Sequence, residues 1–174
     1  EYTYGTLRNL LVREPGRLTL LLGKFVAMTL FALAIVSVST LISIGFSTIF
    51  AGGADVSTSL WFTSSGIRGL AHAVLNVSIS VLLYGIAGMV LGLLLRSPIS
   101  TISIGVLWSL IIENLIGAVK ASALNWMPAN MLSTIAKGGS DSVSYSHALS
   151  LGLAYILLGS LVSMYLFRSR DVSN

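Results

Sequence analysis

Four long apolar runs dominate the pattern of hydrophobic and polar positions along the chain. A bilayer core of about 30 Å takes about 20 residues of helix, and each run is about that long. The predicted transmembrane spans are residues 25–46, 71–95, 99–119 and 148–167. A barrel strand would alternate polar and apolar positions over about ten residues, which these runs do not do. The pattern therefore predicts an all-α integral membrane bundle with four transmembrane helices.

The basic residues between the runs predict the orientation of the chain. Seven of the ten lie in residues 1–24, in the Arg96 turn or after Phe167, and these segments share one side if the spans alternate. The remaining three are Arg68, Lys120 and Lys137. By the positive-inside rule, both ends of this chain are expected to be cytoplasmic, in the plasma (inner) membrane, with residues 51–70 and 120–147 outside.

Composition excludes several classes of protein. Only 9% of the residues are charged and 55% are hydrophobic, whereas a soluble domain carries roughly 25% charged residues. The ten basic and six acidic residues form no basic stripe, so no nucleic-acid partner is expected. The chain has no cysteine, and its two histidines lack the spacing of a zinc site. We therefore assign no catalytic, cofactor-binding or metal-binding residue.

Glu113 is the one acidic or basic residue well inside a predicted span. A carboxylate at membrane depth is costly unless it is paired, hydrated or protonated. Gly105, Ser109 and Gly117 recur with it at every fourth position, so this small and polar stripe is expected to face protein or a cavity. Two interpretations stay open. Glu113 lines a substrate path or relays protons, or it is a buried group bonded to a neighbouring helix or loop.

The first span has a hydroxyl-rich face that includes Ser37 and Thr40. At about 100° per residue, its hydroxyl side chains fall within roughly 140° of arc; they belong to Thr29, Ser37, Thr40, Ser43, Ser47 and Thr48. These groups either line a conduit or bond to their own and neighbouring helices.

The connection between the last two spans, residues 120–146, is too long for an ordinary helix–helix link of 2–8 residues. Its first half is rich in large apolar residues, and Lys137–Ser142 is polar. We expect short helices that dip into the outer interface in the first half, and an exposed Gly138–Ser140 stretch.

A polar and basic segment precedes the first span. Leu7, Leu10 and Leu11 are spaced as in a docking stripe, and Pro15 interrupts helix continuation. Three arginines are suited to pair with acids on a partner or with anionic lipid headgroups; they are Arg8, Arg13 and Arg17.

The order of residues in this segment resembles the cytoplasmic segment of ABC-2 type permeases. The shared features are an acid, a Gly-Thr-Leu triplet, a proline with a nearby arginine, and a lysine that opens the next membrane helix; here they are Glu1, Gly5-Thr6-Leu7, Pro15, Arg17 and Lys24. The tail Phe167–Val172 is similar to the C-terminal end of that family, and Trp126–Pro128 with Asn130 is similar to its last outer loop.

This resemblance implies the permease subunit of an ATP-binding cassette exporter, that is, a transport subunit and not an enzyme, with ATP hydrolysis in a partner chain. Residues 1–24 would form a coupling segment, 25–167 the transmembrane region and 168–174 a cytoplasmic tail. A separate ATPase subunit would dock on the coupling residues, which are Glu1, Gly5, Thr6, Leu7, Arg8, Leu10, Leu11, Arg13, Pro15 and Arg17. ATP and Mg would bind to that partner and not to this chain, and a second permease, identical or different, would complete the unit.

Permeases of this family typically have six helices, so the resemblance also implies that two further helices precede Glu1. The chain itself carries no phosphate loop, since Gly23-Lys24 lacks the required glycine spacing. A membrane-embedded enzyme and a membrane assembly protein, each using Glu113 as a buried polar group, are the alternative functions.

Overall fold

The computed structural model describes residues 17–169, with side chains over residues 19–166. Its helices, numbered in chain order, are α1 (Arg17–Ala51), α2 (Ser64–Leu95), α3 (Pro98–Val106), α4 (Glu113–Val119), α5 (Pro128–Lys137) and α6 (Tyr145–Ser169). Two 3₁₀ segments, Gly52–Ala54 and Ala121–Trp126, and one π-helical turn, Leu107–Ile112, complete the regular structure. No strand occurs within residues 17–169, and the predicted all-α class is confirmed.

Four helical segments are long and apolar enough to cross a membrane; they are Thr19–Ala54, Ser64–Leu95, Pro98–Val119 and Tyr145–Leu166. The third consists of α3, the π-helical turn and α4 in one continuous rod. The first two extend well beyond the apolar runs predicted for them, because helical structure continues through residues 19–24 and 47–54 of the first segment and 64–70 of the second. The chain is therefore a multi-pass helical membrane protein.

A tight turn joins α2 to α3. Arg96 ends α2 in the left-handed conformation with φ 53°, and its N–H donates to the carbonyl of Gly92. Ser97 then caps α3, since its hydroxyl oxygen accepts the N–H of Ser100, and Pro98 occupies the first helical turn. Proline favours this position because its missing N–H would have no intrahelical partner there. The sequence Arg96-Ser97-Pro98 thus reverses the chain between two spans.

Helix α2 is the centre of the bundle, since α1, α3, α5 and α6 all pack on it. Small residues allow the close approaches. A Cβ added at Gly85 would lie 2.5 Å from Sδ of Met28 in α1, and one added at Gly159 in α6 would lie 3.1 Å from Val90. Ser163 of α6 also donates to the Val90 carbonyl at 3.3 Å.

The largest fully buried side chains among the described residues belong to α5, the short helix in the connection between the last two spans. Met131 and Ile135 are completely buried, and they pack with Leu83, Val143 and Ala148. The expectation of short helices in this connection is confirmed by the 3₁₀ segment Ala121–Trp126 and by α5. The structure adds that the side chains of α5 pack between α2 and α6.

Helix α1 lies at the periphery. It packs against α2 along one side, whereas Phe31 and Ile49 are 69% and 74% exposed. Such exposure would be costly in water but not in hydrocarbon, where lipid tails cover an apolar helix. The exposed apolar surface of the chain therefore agrees with a membrane-spanning bundle.

Candidate functional site

Glu113 is 3% exposed and holds the start of α5. Its Oε1 accepts hydrogen bonds from the backbone N–H of Ala129, at 2.9 Å, and from Nε1 of Trp108, at 2.7 Å. Its Oε2 accepts the backbone N–H of Asn130 at 2.8 Å. A carboxylate with three donors is well compensated for its burial. The structure thus shows Glu113 as a buried group bonded to a neighbouring helix.

The local sequence explains why α5 needs this distant partner. The first N–H groups of a helix have no intrahelical acceptor, and the residue that precedes α5 is Met127, which makes no side-chain capping bond. Pro128 has no N–H, so Ala129 and Asn130 present the donors that require a partner. Glu113 accepts both of them, and its negative charge is favourable at the positive end of a helix dipole.

The π-helical turn Leu107–Ile112 brings Trp108 and Glu113 together. On an α-helix, positions five residues apart point about 140° away from each other, at about 100° per residue. In the π turn the backbone N–H of Glu113 donates to the carbonyl of Trp108, which widens the turn by one residue. The indole can therefore donate to the carboxylate five residues later.

Three hydroxyl groups from the long helices fasten the same region. Ser80 donates to the Leu132 carbonyl at 2.7 Å, and Tyr84 donates to the Ala129 carbonyl at 2.8 Å. Tyr155 of α6 donates to the carbonyl of Trp126 at 2.6 Å. Hydrogen bonds from α2, α4 and α6 therefore fix α5 and its entry segment.

Beside α5 lies a cleft with a volume of about 650 Å³, formed by α2, the third span, α5 and α6. Its walls are mostly aliphatic side chains and small residues, including Gly88, Leu91, Gly105 and Ile156. The cleft lies between membrane-spanning segments, so its contents would be at membrane depth. This cleft and the Glu113 contacts beside it make up the candidate site.

Every polar side chain that lines the cleft already donates within the protein; these residues are Tyr84, Thr101, Trp108, Ser109 and Tyr155. Thr101 donates to the Ser97 carbonyl at 2.8 Å, and Ser109 to the Gly105 carbonyl at 2.9 Å. The lining therefore needs no hydrogen-bond partner from a ligand. It favours an apolar occupant that is selected by shape.

The structure separates the predicted site residues into three groups. Ser109 lines the cleft. Glu113 lies at the edge of the cleft, where it accepts hydrogen bonds from the start of α5. Ser37 and Thr40 of α1 do not line it; their hydroxyls donate to the carbonyls of Leu33 and Val36 in their own helix, each at 2.8 Å. The predicted coupling residues before Arg17 lie outside the described part of the chain, as does the side chain of Arg17 itself.

Sequence reasoning did not single out Ser80, Tyr84, Trp108 or Tyr155. Each is a polar or amphipathic side chain inside an apolar run, and such groups usually find a partner when they are buried. That rule could have marked them as contact-forming positions. It could not have named their acceptors, which lie 29 to 52 residues away for Tyr155, Tyr84 and Ser80.

The fold and the site together define a multi-pass helical membrane protein with an apolar cleft between its spans. Residues 1–173 match the family described as "Protein of unknown function (DUF2705)", and the chain belongs to that family. Neither a curated protein nor a solved structure shows significant similarity to it.

Proposed function

We propose that the chain is the permease subunit of an ATP-binding cassette exporter in the plasma membrane. The observation that carries this proposal is the apolar cleft between the spans. Its volume of about 650 Å³ lies within the range of small-molecule sites, roughly 300–1,000 Å³. The resemblance of residues 1–25 to the coupling segment of ABC-2 permeases supports the same function.

The chemistry of the cleft favours a lipophilic substrate. Its polar side chains already donate within the protein, so they offer a polar substrate no free side-chain donor to replace the water that it loses. An apolar substrate has no such cost. It can enter the cleft from the bilayer, in which it is already dissolved.

The position of α1 supports a route for coupling. The predicted docking segment, Gly5–Arg17, leads directly into α1, which packs on the central helix α2. A partner that binds ATP and Mg would displace the docking segment and, through it, α1. Two permeases and two ATPases would form the working unit, and the bundle would alternate access to the cleft.

The contacts of Glu113 favour transport over the membrane-enzyme alternative. Its two oxygens accept three hydrogen bonds, two of them from the backbone of α5. These bonds stabilise the carboxylate as an acceptor and tie it to a structural task. A general acid or base would instead need to reach a reacting group.

The first test is copurification of an ATPase with the full-length protein in mild detergent. Burial of a leucine contributes about 1.5–3 kcal/mol, so the double variant Leu7→Ala with Leu11→Ala should weaken ATPase binding by roughly two or more orders of magnitude. The matched control removes two leucines that are 65% exposed in the third span, Leu110→Ala with Leu115→Ala. That pair should leave ATPase binding unchanged.

Two results would contradict the proposed function. In the first, no ATPase copurifies with the intact protein. In the second, the Leu7 and Leu11 double variant binds the ATPase as tightly as the wild type. Either result would move the membrane-enzyme and assembly alternatives ahead.

A further inference from the structure

Three aromatic side chains from three different spans line the apolar cleft where it meets the start of α5. They are Tyr84 of α2, Trp108 of the π-helical turn and Tyr155 of α6. We call them the aromatic collar. The polar tip of each ring donates to the start of α5, to its entry segment or to Glu113, which caps it. The collar therefore offers ring carbon atoms to the cleft, while its hydroxyl and indole N–H groups are engaged elsewhere.

Glu113 lies directly behind the aromatic collar. Its Oε1 accepts hydrogen bonds from the Trp108 indole and from the backbone N–H of Ala129, and both of these residues line the cleft. The carboxylate is therefore one hydrogen bond away from two parts of the cleft wall. It is buried, and a buried charge acts on its neighbours more strongly than a charge in water does, because the dielectric constant is lower.

The charges around the cleft are not balanced. No basic residue is among those that line it in the described part of the chain. The basic residues with described side chains are Lys24, Arg68, Arg96, Lys120 and Lys137. The positive end of the α5 dipole is equivalent to about half a charge, so it offsets the negative charge of Glu113 only in part. The collar end of the cleft is therefore more favourable for a cation than for an anion.

The aromatic rings add to this preference. The face of an aromatic ring carries partial negative charge and attracts a cation within about 6 Å of the ring centre. Several rings together form the usual binding site for a quaternary ammonium group. Such a cation has no N–H or O–H group, so it requires no hydrogen-bond acceptor from the cleft wall. It thus suits a lining whose polar side chains already donate within the protein.

We propose that the cleft binds a lipophilic cation whose charge is enclosed by apolar groups, as in quaternary ammonium and phosphonium ions. The charged centre lies at the aromatic collar with Glu113 behind it, and the apolar groups extend along the aliphatic walls beside Leu91 and Ile156. This inference rests on the proposed function in taking the cleft as the substrate site, and it names the substrate class. An uncharged or anionic molecule of the same shape would match only the aliphatic walls.

The experiment compares two ions of nearly the same shape and opposite charge, tetraphenylphosphonium and tetraphenylborate. Their binding to the full-length protein in mild detergent is measured by equilibrium dialysis, with correction for partition into empty micelles. The wild type should bind tetraphenylphosphonium saturably and roughly tenfold or more tightly than the borate, the effect of one charge several ångströms away. In about 1 M sodium chloride this preference should persist, because a buried charge is screened less than a surface charge.

Glu113→Gln tests the source of the preference. It removes the charge and keeps one oxygen for the hydrogen-bond donors, so the preference for tetraphenylphosphonium should fall by roughly tenfold. The matched control is Asp141→Asn, which removes the charge of an exposed carboxylate outside the cleft and should bind both ions as the wild type does. If Glu113→Gln does not fold, the two ions on the wild type and the collar variants still decide the proposal.

Variants of Tyr155 separate the ring from its hydroxyl group. Tyr155→Phe loses the hydrogen bond to the Trp126 carbonyl but keeps the ring, so it should retain most of the preference. Tyr155→Leu keeps an apolar side chain but loses the ring, and should lower the preference by about threefold or more. Tyr165→Phe and Tyr165→Leu are the controls on the same helix, since Tyr165 is exposed and lies outside the cleft. Neither control should change the preference.

Several results would overturn the proposal. They are no saturable binding of tetraphenylphosphonium, equal or tighter binding of the borate, loss of the preference in salt, and a wild-type preference in Glu113→Gln or in Tyr155→Leu. An equal loss in Asp141→Asn would place the cation at the protein surface and would also overturn it. All of these measurements are made without an ATPase. An ATPase that copurifies with a protein showing no charge preference would therefore contradict this inference alone, and a charge preference without an ATPase would contradict only the transport function.

Discussion

Glu113 shows how one residue can connect separate parts of a membrane protein. Its carboxylate accepts the N–H groups of Ala129 and Asn130, at the start of a helix 15 positions further along the chain. It also accepts the Trp108 indole from its own span. These bonds satisfy the buried carboxylate and the otherwise unpaired N–H donors of a helix terminus at the same time.

Replacing Glu113 should therefore destabilise the protein according to how many acceptors are lost. Glu113→Leu removes all three bonds and leaves buried donors, each costing about 1–3 kcal/mol. Glu113→Gln keeps one oxygen for the Ala129 and Trp108 donors, so its loss should be smaller. Thermal unfolding in detergent measures both, with Asn114→Leu as the control at an exposed neighbour that bonds only within its helix.

Equal melting temperatures for wild type, Glu113→Gln and Glu113→Leu would contradict this role. A Gln variant that folds like the wild type but loses transport would point instead to a carboxylate that must titrate.

At the residue scale, the sequence predicted contacts that follow from a local spacing of residues, but not contacts between residues far apart in the chain. The four-residue stripe predicted correctly that Glu113 avoids lipid, because i, i+4 spacing places its members on one face. The acceptors of Ser80 and Tyr84 were not predictable, because a hydroxyl in an apolar run gives no signal of which distant carbonyl it will meet. Ser37 and Thr40 formed a polar face too, but their own helix satisfies them.

At the scale of elements, α5 is short yet central. An isolated helix of its length, 10 residues, is not stable by itself in water. It is stabilised by its apolar face, with Met131 and Ile135 fully buried, and by the hydrogen bonds from α2 and α4. Tertiary contacts therefore decide that this segment is helical.

Hydrogen exchange should reveal that dependence. Backbone amides of residues 131–135 should exchange more slowly than those of residues 138–142, which lie in the exposed stretch after α5. The double variant Ser80→Ala with Tyr84→Phe should raise exchange in α5 by roughly tenfold or more, since each bond contributes about 0.5–1.5 kcal/mol.

The control for exchange makes the same chemical changes elsewhere, Ser150→Ala with Tyr165→Phe. Ser150 donates only within its own helix turn and Tyr165 is 72% exposed, so exchange in α5 should not change. Equally fast exchange in both segments of the wild type would show that tertiary contacts do not stabilise α5.

Sequence predicted short helices in the α5 region because apolar residues cluster there, but it did not predict their packing. The apolar positions of residues 126–135 suit an interface as well as a core, since both remove them from water. Only the contacts with α2 and α6 distinguish the two, and those contacts join residues far apart in the chain.

At the scale of the whole molecule, the number of spans followed from run length alone, because the bilayer thickness sets a minimum for a helix that crosses it. The orientation rests on a separate argument, the placement of basic residues. The two arguments are independent, so the orientation needs its own experiment.

Single cysteines test the orientation directly, because the chain has none of its own. Ser59→Cys and Ser140→Cys, both at exposed positions, should react with a membrane-impermeant thiol reagent in intact cells, and Ser173→Cys should react only after permeabilisation. Labelling of Ser173→Cys in intact cells would reverse the proposed orientation.

The internally satisfied lining of the cleft has a consequence for which molecules it admits. A lining that needs no hydrogen bond from its occupant selects molecules by their size and shape. Exchange of one wall residue, such as Gly88 or Ile156, would alter the range of sizes admitted and leave the apolar character of the occupant unchanged. The size of the molecule that fits the cleft can therefore change by a single substitution of volume, with the anchoring of α5 left untouched.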